Sequence, residues 1–319
     1  MSNNAPGFNH FNIGTNRPLK TPLGSFEFNV IGGTLTYNKG QVFENANLKL
    51  FGNTTHTNFL SLLSISYSPT FFKNFFLTAN RAFTIPTQEK PSSKLTDYYL
   101  LALKPLFRNE YQDNSLPIDQ VISGSAKYIF PKEHAEVYFE YGWNDGSSNS
   151  RDLILDMSHS AASIYGLKKN QYLNKNSYLS IVAEVTKMTQ KPSYLQRPAG
   201  NWYVHGNGGY INENQIMGAG SGWGNDVQTF AISLNNGWNK IGIKFQHIAH
   251  DPVGITNILA FDGGGYNWDD YAYGIQLKQK HNRFLINLNI ESVNSKNYLW
   301  QNNKKATNLY IFLNTIYLW

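Results

Sequence analysis

Two glutamates, Glu136 and Glu140, stand four residues apart in the run Ala135-Glu-Val-Tyr-Phe-Glu-Tyr-Gly-Trp-Asn144, with Tyr138 between them. Paired carboxylates invite a glycoside-hydrolase reading, one group acting as acid and the other as base or nucleophile. In an extended chain, at ~3.3 Å per residue, backbones four residues apart are separated by about 13 Å. Retaining hydrolysis wants about 5–5.5 Å between the carboxyl groups and inversion about 6.5–9.5 Å. The pair therefore reads better as polar lining balanced by Lys or Arg. Arg151-Asp152 and His159 bracket the following loop. A histidine and an aspartate need a nucleophile to become a triad, and no Gly-x-Ser-x-Gly elbow accompanies them, so they too read as polar lumen residues. The stretch Asp262-Gly-Gly-Gly-Tyr-Asn267-Trp-Asp269-Asp270 offers oxygens to Ca²⁺ but lacks the EF-hand spacing, and a solvated loop is the better reading. Cysteine is absent, which removes disulfides and thiolate metal sites. Phosphate-cradling loops and zinc spacings are not found. The expectation is a non-enzyme with neither cofactor nor metal.

A different chemistry is concentrated between residues 202 and 223. Trp202, Tyr203, His205, Tyr210, Asn212, Gln215 and Trp223 lie in a glycine-rich stretch. Sugars present apolar C–H faces ringed by hydroxyls, so their sites pair flat aromatics with hydrogen-bonding side chains. Glycines let such a segment fold inward and bring its backbone close to a neighbour. These seven residues are the candidate polysaccharide-binding set. An interfacial aromatic girdle with ordinary turn glycines is the competing reading.

The elements that must position these groups are strands. Alternation with a period of two recurs: Ala135, Val137, Phe139, Tyr141 and Trp143 oppose Glu136, Tyr138 and Glu140, and Tyr271, Tyr273, Ile275 and Leu277 oppose Gly274, Gln276 and Lys278. The pattern predicts strands at 25–37, 46–52, 58–68, 74–83, 121–130, 135–144, 160–169, 177–187, 227–235, 239–248, 271–280, 283–293 and 307–319. Most approach the ~9–11 residues that a tilted strand needs to cross a bilayer. Short polar turns such as Asn235-Asn236-Gly237 alternate with long connections at 84–120, 145–158, 188–226 and 249–270, as in outer-membrane barrels. Leu95–Lys104, before Pro105, reads as one short helix. The final run Leu309–Trp319 is apolar on one face except for Thr315 and ends on an aromatic, which suits a closing barrel strand.

Composition agrees. Aromatic and charged residues each make up 15% of the chain. A soluble domain usually carries about 25% charged residues. Lipid on one face of a sheet and a weakly charged lumen on the other would account for the deficit. No apolar run reaches the ~18 residues of a membrane-spanning helix, and mean hydropathy is −0.41. Strands that alternate average out to such values. The net charge of +6 comes from scattered Lys and Arg without a basic stripe, so nucleic acid is not an expected partner. Met1-Ser-Asn-Asn lacks the basic start and apolar core of a signal peptide, which predicts a mature form or a fragment.

Arg197-Pro-Ala-Gly-Asn-Trp202-Tyr203-Val-His205-Gly206-Asn-Gly-Gly209-Tyr210, followed by Gln215-Ile-Met-Gly218-Ala-Gly220-Ser-Gly222, resembles the Wzi family of capsule assembly proteins. Asn4-Ala5-Pro6-Gly7-Phe8 with Gly24-Ser-Phe26-Glu27 and Ile31-Gly32-Gly33 resembles the family's early strands. Glu136–Gly142 with Arg151-Asp152, His159 and Gly166-Leu-Lys168 resembles its middle. The resemblance implies an all-β fold, an antiparallel transmembrane β-barrel in the outer membrane of a Gram-negative bacterium. It also implies binding of capsular or exopolysaccharide, contact with outer-membrane lipid and a monomeric barrel. Family barrels have about eighteen strands, and bacterial single-chain barrels are even-numbered. About thirteen are visible here, so the expectation is a single barrel domain over residues 1–319, N-terminally truncated relative to the family. The alternatives are a porin or sugar channel, and an outer-membrane enzyme acting on lipid or glycan.

Overall fold

Successive side chains of an extended chain point to opposite faces, so a long two-residue alternation needs a sheet with two different surroundings. A computed structural model of the chain bears this out. It describes residues 7–37, 56–88, 94–104, 118–144, 158, 160–189, 202–203, 209–213, 215–218, 222, 224–250 and 266–317. The strands are β1 (Asn9–Gly14), β2 (Leu19–Thr21), β3 (Gly24–Tyr37), β4 (His56–Pro69), β5 (Phe75–Pro86), β6 (Asp119–Phe130), β7 (Ala135–Asn144) and β8 (Ala161–Tyr172). They continue with β9 (Ser177–Lys187), β10 (Ile211–Asn212), β11 (Gln215–Ile216), β12 (Asp226–Asn236), β13 (Asn239–His250), β14 (Trp268–His281), β15 (Phe284–Lys296) and β16 (Lys305–Tyr317). All but β10 and β11 belong to one 14-stranded sheet that runs in chain order and is not closed. Every predicted strand except 46–52, which lies outside the described residues, is a strand. The short β1, β2, β10 and β11 are additions. By contacts the chain divides into two units, the first holding residues 1–126, 140–162 and 190–223, the second residues 127–139, 163–189 and 224–319.

In the first unit the register of β3, β4 and β5 separates two faces. Phe28, Ile65 and Leu77 share an apolar, exposed one. Toward the other end of those strands the same face is covered by the predicted helix, here α1 (Thr96–Tyr99) followed by a 3-10 turn at Leu101–Leu103. α1 has no side-chain cap. It is held by packing instead: Tyr98, Leu101 and Ala102 bury against Phe83 and Ile85, and Tyr98 stacks on Phe59 at 4.7 Å. The Ala102 N–H donates to Ser61 Oγ at 3.0 Å. Arg81 lies beneath, its guanidinium 4.6 Å from the Phe83 ring and donating to the carbonyls of Ala102 and Lys104. The opposite face carries Glu27, Asn29, Ser64, Ser66, Thr78 and Asn80, with Ser66 and Thr78 hydroxyls 3.0 Å apart.

In the second unit the separation is cleaner. Across β8, β9, β12, β13 and β14 the register aligns Leu167, Ala183, Phe230, Phe245 and Tyr273 on one face. Ile243, Tyr273, Ile275 and Leu313 on that face are 59%, 54%, 49% and 65% exposed, a contiguous apolar surface of the kind that marks a membrane or partner contact. The other face is polar: Asn170, Ser180, Ser233, Gly242, Gln276 and Asn289 form one row. Tight turns join β12 to β13, with Gly237 at φ +56°, and β14 to β15, with Asn282 at φ +53°. Two side chains cross an intervening strand on the polar face, each over a glycine. Tyr138 of β7 passes Gly166 of β8 and donates its hydroxyl to Glu184 of β9. Lys244 of β13 passes Gly274 of β14 to pair with Glu291 of β15.

Candidate functional site

The structure brings four of the seven aromatic and polar candidates together on the polar face of the first unit. Tyr210 inserts among Leu35 and Leu60, and its hydroxyl donates to the carbonyls of Ala82 at 2.9 Å and Asp119 at 3.1 Å. Asn212 sits in the small β10–β11 hairpin, where its Oδ1 accepts from the Thr36 N–H at 3.0 Å and its amide donates to Gly7 O at 3.4 Å. Asn58 of β4 donates to Gly209 O at 3.2 Å, and the Glu213 N–H to Thr36 O at 2.7 Å. Trp202 lies over Gly142, where an added Cβ would stand 3.0 Å from the indole ring. Tyr203 packs edge-on to Trp202 at 5.6 Å and over Gly218. Where it is described, the segment thus lies against the polar face, with glycines at the closest approaches. Trp202 and Tyr210 are only 4% and 3% exposed, so these rings fasten the segment to the wall. The Trp202 indole N–H has no acceptor among the described residues. Gln215 is exposed. His205 and Trp223 lie outside the described residues.

The lumen candidates divide. Glu136 belongs to the second unit and Glu140 to the first, both half-buried in β7. Arg151, Asp152 and His159 lie outside the described residues. Glu184 and Glu291, which sequence reasoning had not singled out, gain partners across strands. Register sets Gly166 beside Glu184 and Gly274 between Lys244 and Glu291, and register is not readable from one strand at a time.

The acidic run that resembled an oxygen-rich cation loop is used otherwise where it is described. Asp269 meets His247 Nε2 at 2.9 Å, and Asp270 meets His250 Nε2 at 2.7 Å. Trp268 stacks on His250 at 3.8 Å and donates its indole N–H to Asp270 at 2.7 Å, while the Trp300 indole N–H donates to His250 O at 3.2 Å. These contacts tie the ends of β13 and β14 and the β15–β16 connection together, and they consume the carboxylate oxygens of Asp270. Among the described residues no group of three or more His, Asp or Glu is placed to hold a metal ion. Nor is any helix among them long and apolar enough to cross a membrane, which leaves crossing by strands open.

No family model matches the chain, and no curated protein does. Among solved structures it is similar to Wzi, described as an outer membrane protein involved in group 1 capsule assembly in Escherichia coli and a carbohydrate-binding β-barrel. The TM-score is 0.65 at 9% identity, over 97% of this chain and 60% of that one. The chain therefore spans about 60% of the length of the barrel it matches. The likeness shows the fold, that of an antiparallel β-barrel.

Proposed function

We propose that the chain is an outer-membrane β-barrel, forming a single barrel domain over residues 1–319 and related to the Wzi family. In this reading it binds polysaccharide and helps assemble or hold capsule or exopolysaccharide at the surface of a Gram-negative bacterium. It acts by non-covalent recognition. The observation that carries the reading is the pairing of two faces in one sheet: an exposed apolar face suited to lipid, and a polar face of amides and hydroxyls suited to sugar hydroxyls. The fold likeness to a carbohydrate-binding barrel supports it. Within the 202–223 segment, Trp202, Tyr210 and Asn212 serve as anchors, and Tyr203, His205, Gln215 and Trp223 as the contacting groups.

The test measures folded barrel in the membrane and polysaccharide retained on the cells in the same variants. Tyr203→Ala and His205→Ala should lower retention per folded barrel while leaving barrel abundance unchanged. The effect of the histidine should be the smaller, since one neutral hydrogen bond is worth about 0.5–1.5 kcal/mol. Reduced abundance with normal retention per barrel would assign the segment to structure alone.

A further inference from the structure

We infer that the polar face of the second unit carries an anion-reading glycan site, centred on Lys240 and Lys278, that takes a carbohydrate chain bearing carboxylates. The inference rests on the polysaccharide reading above and gives it a ligand class and a place. Lys240 of β13 and Lys278 of β14 are directly opposite each other in the register, on the same face. Like charges so placed destabilise a sheet, and native sheets normally avoid or neutralise them. Neutralisation is available in this unit and is used elsewhere: Lys244, on the same face, has Glu291. Among the described residues Lys240 has only the neutral Gln276 amide oxygen, at 2.7 Å. Among the described residues Lys240, Lys278 and Lys280 form no ion pair.

The surroundings supply the rest of a sugar site. The register sets Asn235 beside Lys240, Asn287 beside Lys278 and Asn314 beside Asn287, and Gln276 beside Asn289 in the next row. Amides of this kind both donate to and accept from vicinal hydroxyls, whereas lysines only donate and so select for anions. Trp238, in the β12–β13 turn and 53% exposed, has the ammonium groups of Lys278 and Lys280 at 5.4 and 5.5 Å from its ring. The aromatic keeps both cations close to the patch. Two ammonium groups held together within a wall of amides fit a uronate-containing chain better than a neutral one. They fit it better than a bare inorganic anion as well, because the amides would then be left without partners.

The test uses the full chain folded in detergent micelles, with fluorescent oligogalacturonate, a neutral dextran oligomer of similar length, and inorganic phosphate as a competitor. Oligogalacturonate should bind more tightly than dextran, and more weakly as salt rises. The pair Lys240→Gln/Lys278→Gln should weaken it about tenfold, the scale expected for losing charged contacts. Lys240→Arg/Lys278→Arg should retain binding. Lys278→Gln alone should melt no lower than the parent, because it relieves repulsion; a purely structural pair would melt lower. Equal oligogalacturonate binding in the parent and the Gln pair overturns the inference, as does full displacement by phosphate at the concentration that galacturonic acid itself requires. Equal binding of dextran and oligogalacturonate overturns it too, yet leaves the polysaccharide reading standing. If neither chain binds and the cells also retain no polysaccharide, the broader reading fails as well.

Discussion

A methyl group at position 166 would come 1.9 Å from the Tyr138 ring, so glycine there is a requirement of the side chain that passes over it. Gly166→Ala must push the phenol aside and with it the hydrogen bond to Glu184. Bonds to charged groups are worth about 1.5–3 kcal/mol, and that is the expected loss of stability. In a Tyr138→Phe background the bond is already gone, and the same Gly166→Ala change should cost less. Equilibrium unfolding of the four proteins in the cycle measures the coupling, and strict additivity would show that the two residues act independently. The same logic covers Trp202 and Gly142, where a ring is seated against a strand because one residue offers no side chain.

At the scale of strands the decisive quantity is which face a residue occupies. Ile275 is on the exposed apolar face, and Gln276 points the other way to meet Lys240. Ile275→Lys near the bilayer midplane should cost about 2–4 kcal/mol. Gln276→Glu, which sets a carboxylate beside Lys240, should be silent or mildly stabilising. Unfolding from lipid vesicles gives both numbers, and equal sensitivity would be incompatible with lipid on one face alone. This alternation was legible in the sequence, as were the strand positions and the helix near residue 98, because each depends on neighbours a few residues apart. The close approach of Trp202, Tyr203 and Tyr210 to the sheet was legible in part, since glycines and aromatics together announce it. What the alternation could not disclose was register. Tyr138 meeting Glu184, and Lys240 facing Lys278, depend on how far one strand slides along another. That slide is fixed by turns and by packing over the whole sheet. Asp270 reads as part of a solvated loop in the sequence for the same reason, because the His250 that reaches it lies on another strand.

For the molecule as a whole, the sheet has one apolar and one polar surface, and β16 is where that division is least complete. Ile311 and Phe312, on opposite faces of β16, are 64% and 57% exposed. The strand's inner neighbour is β15, and its other edge is unpaired among the described residues. Lipid does not tolerate free backbone donors and acceptors, and a closed barrel leaves none.

The roof that α1 and its 3-10 turn place over Arg81 has a consequence for timing. A guanidinium cannot shed its charge, and if this apolar face meets lipid, as proposed, the charge is costly until it is covered. The Ala102 and Lys104 carbonyls that receive it belong to the connection after β5, not to the sheet. Entry of β5 into a bilayer should therefore wait for that connection to dock, making a surface loop the gatekeeper of insertion. Arg81→Leu should insert into lipid vesicles faster than the parent chain, followed by the onset of protease protection. An unchanged rate would mean that the connection closes only after the strands are already in place.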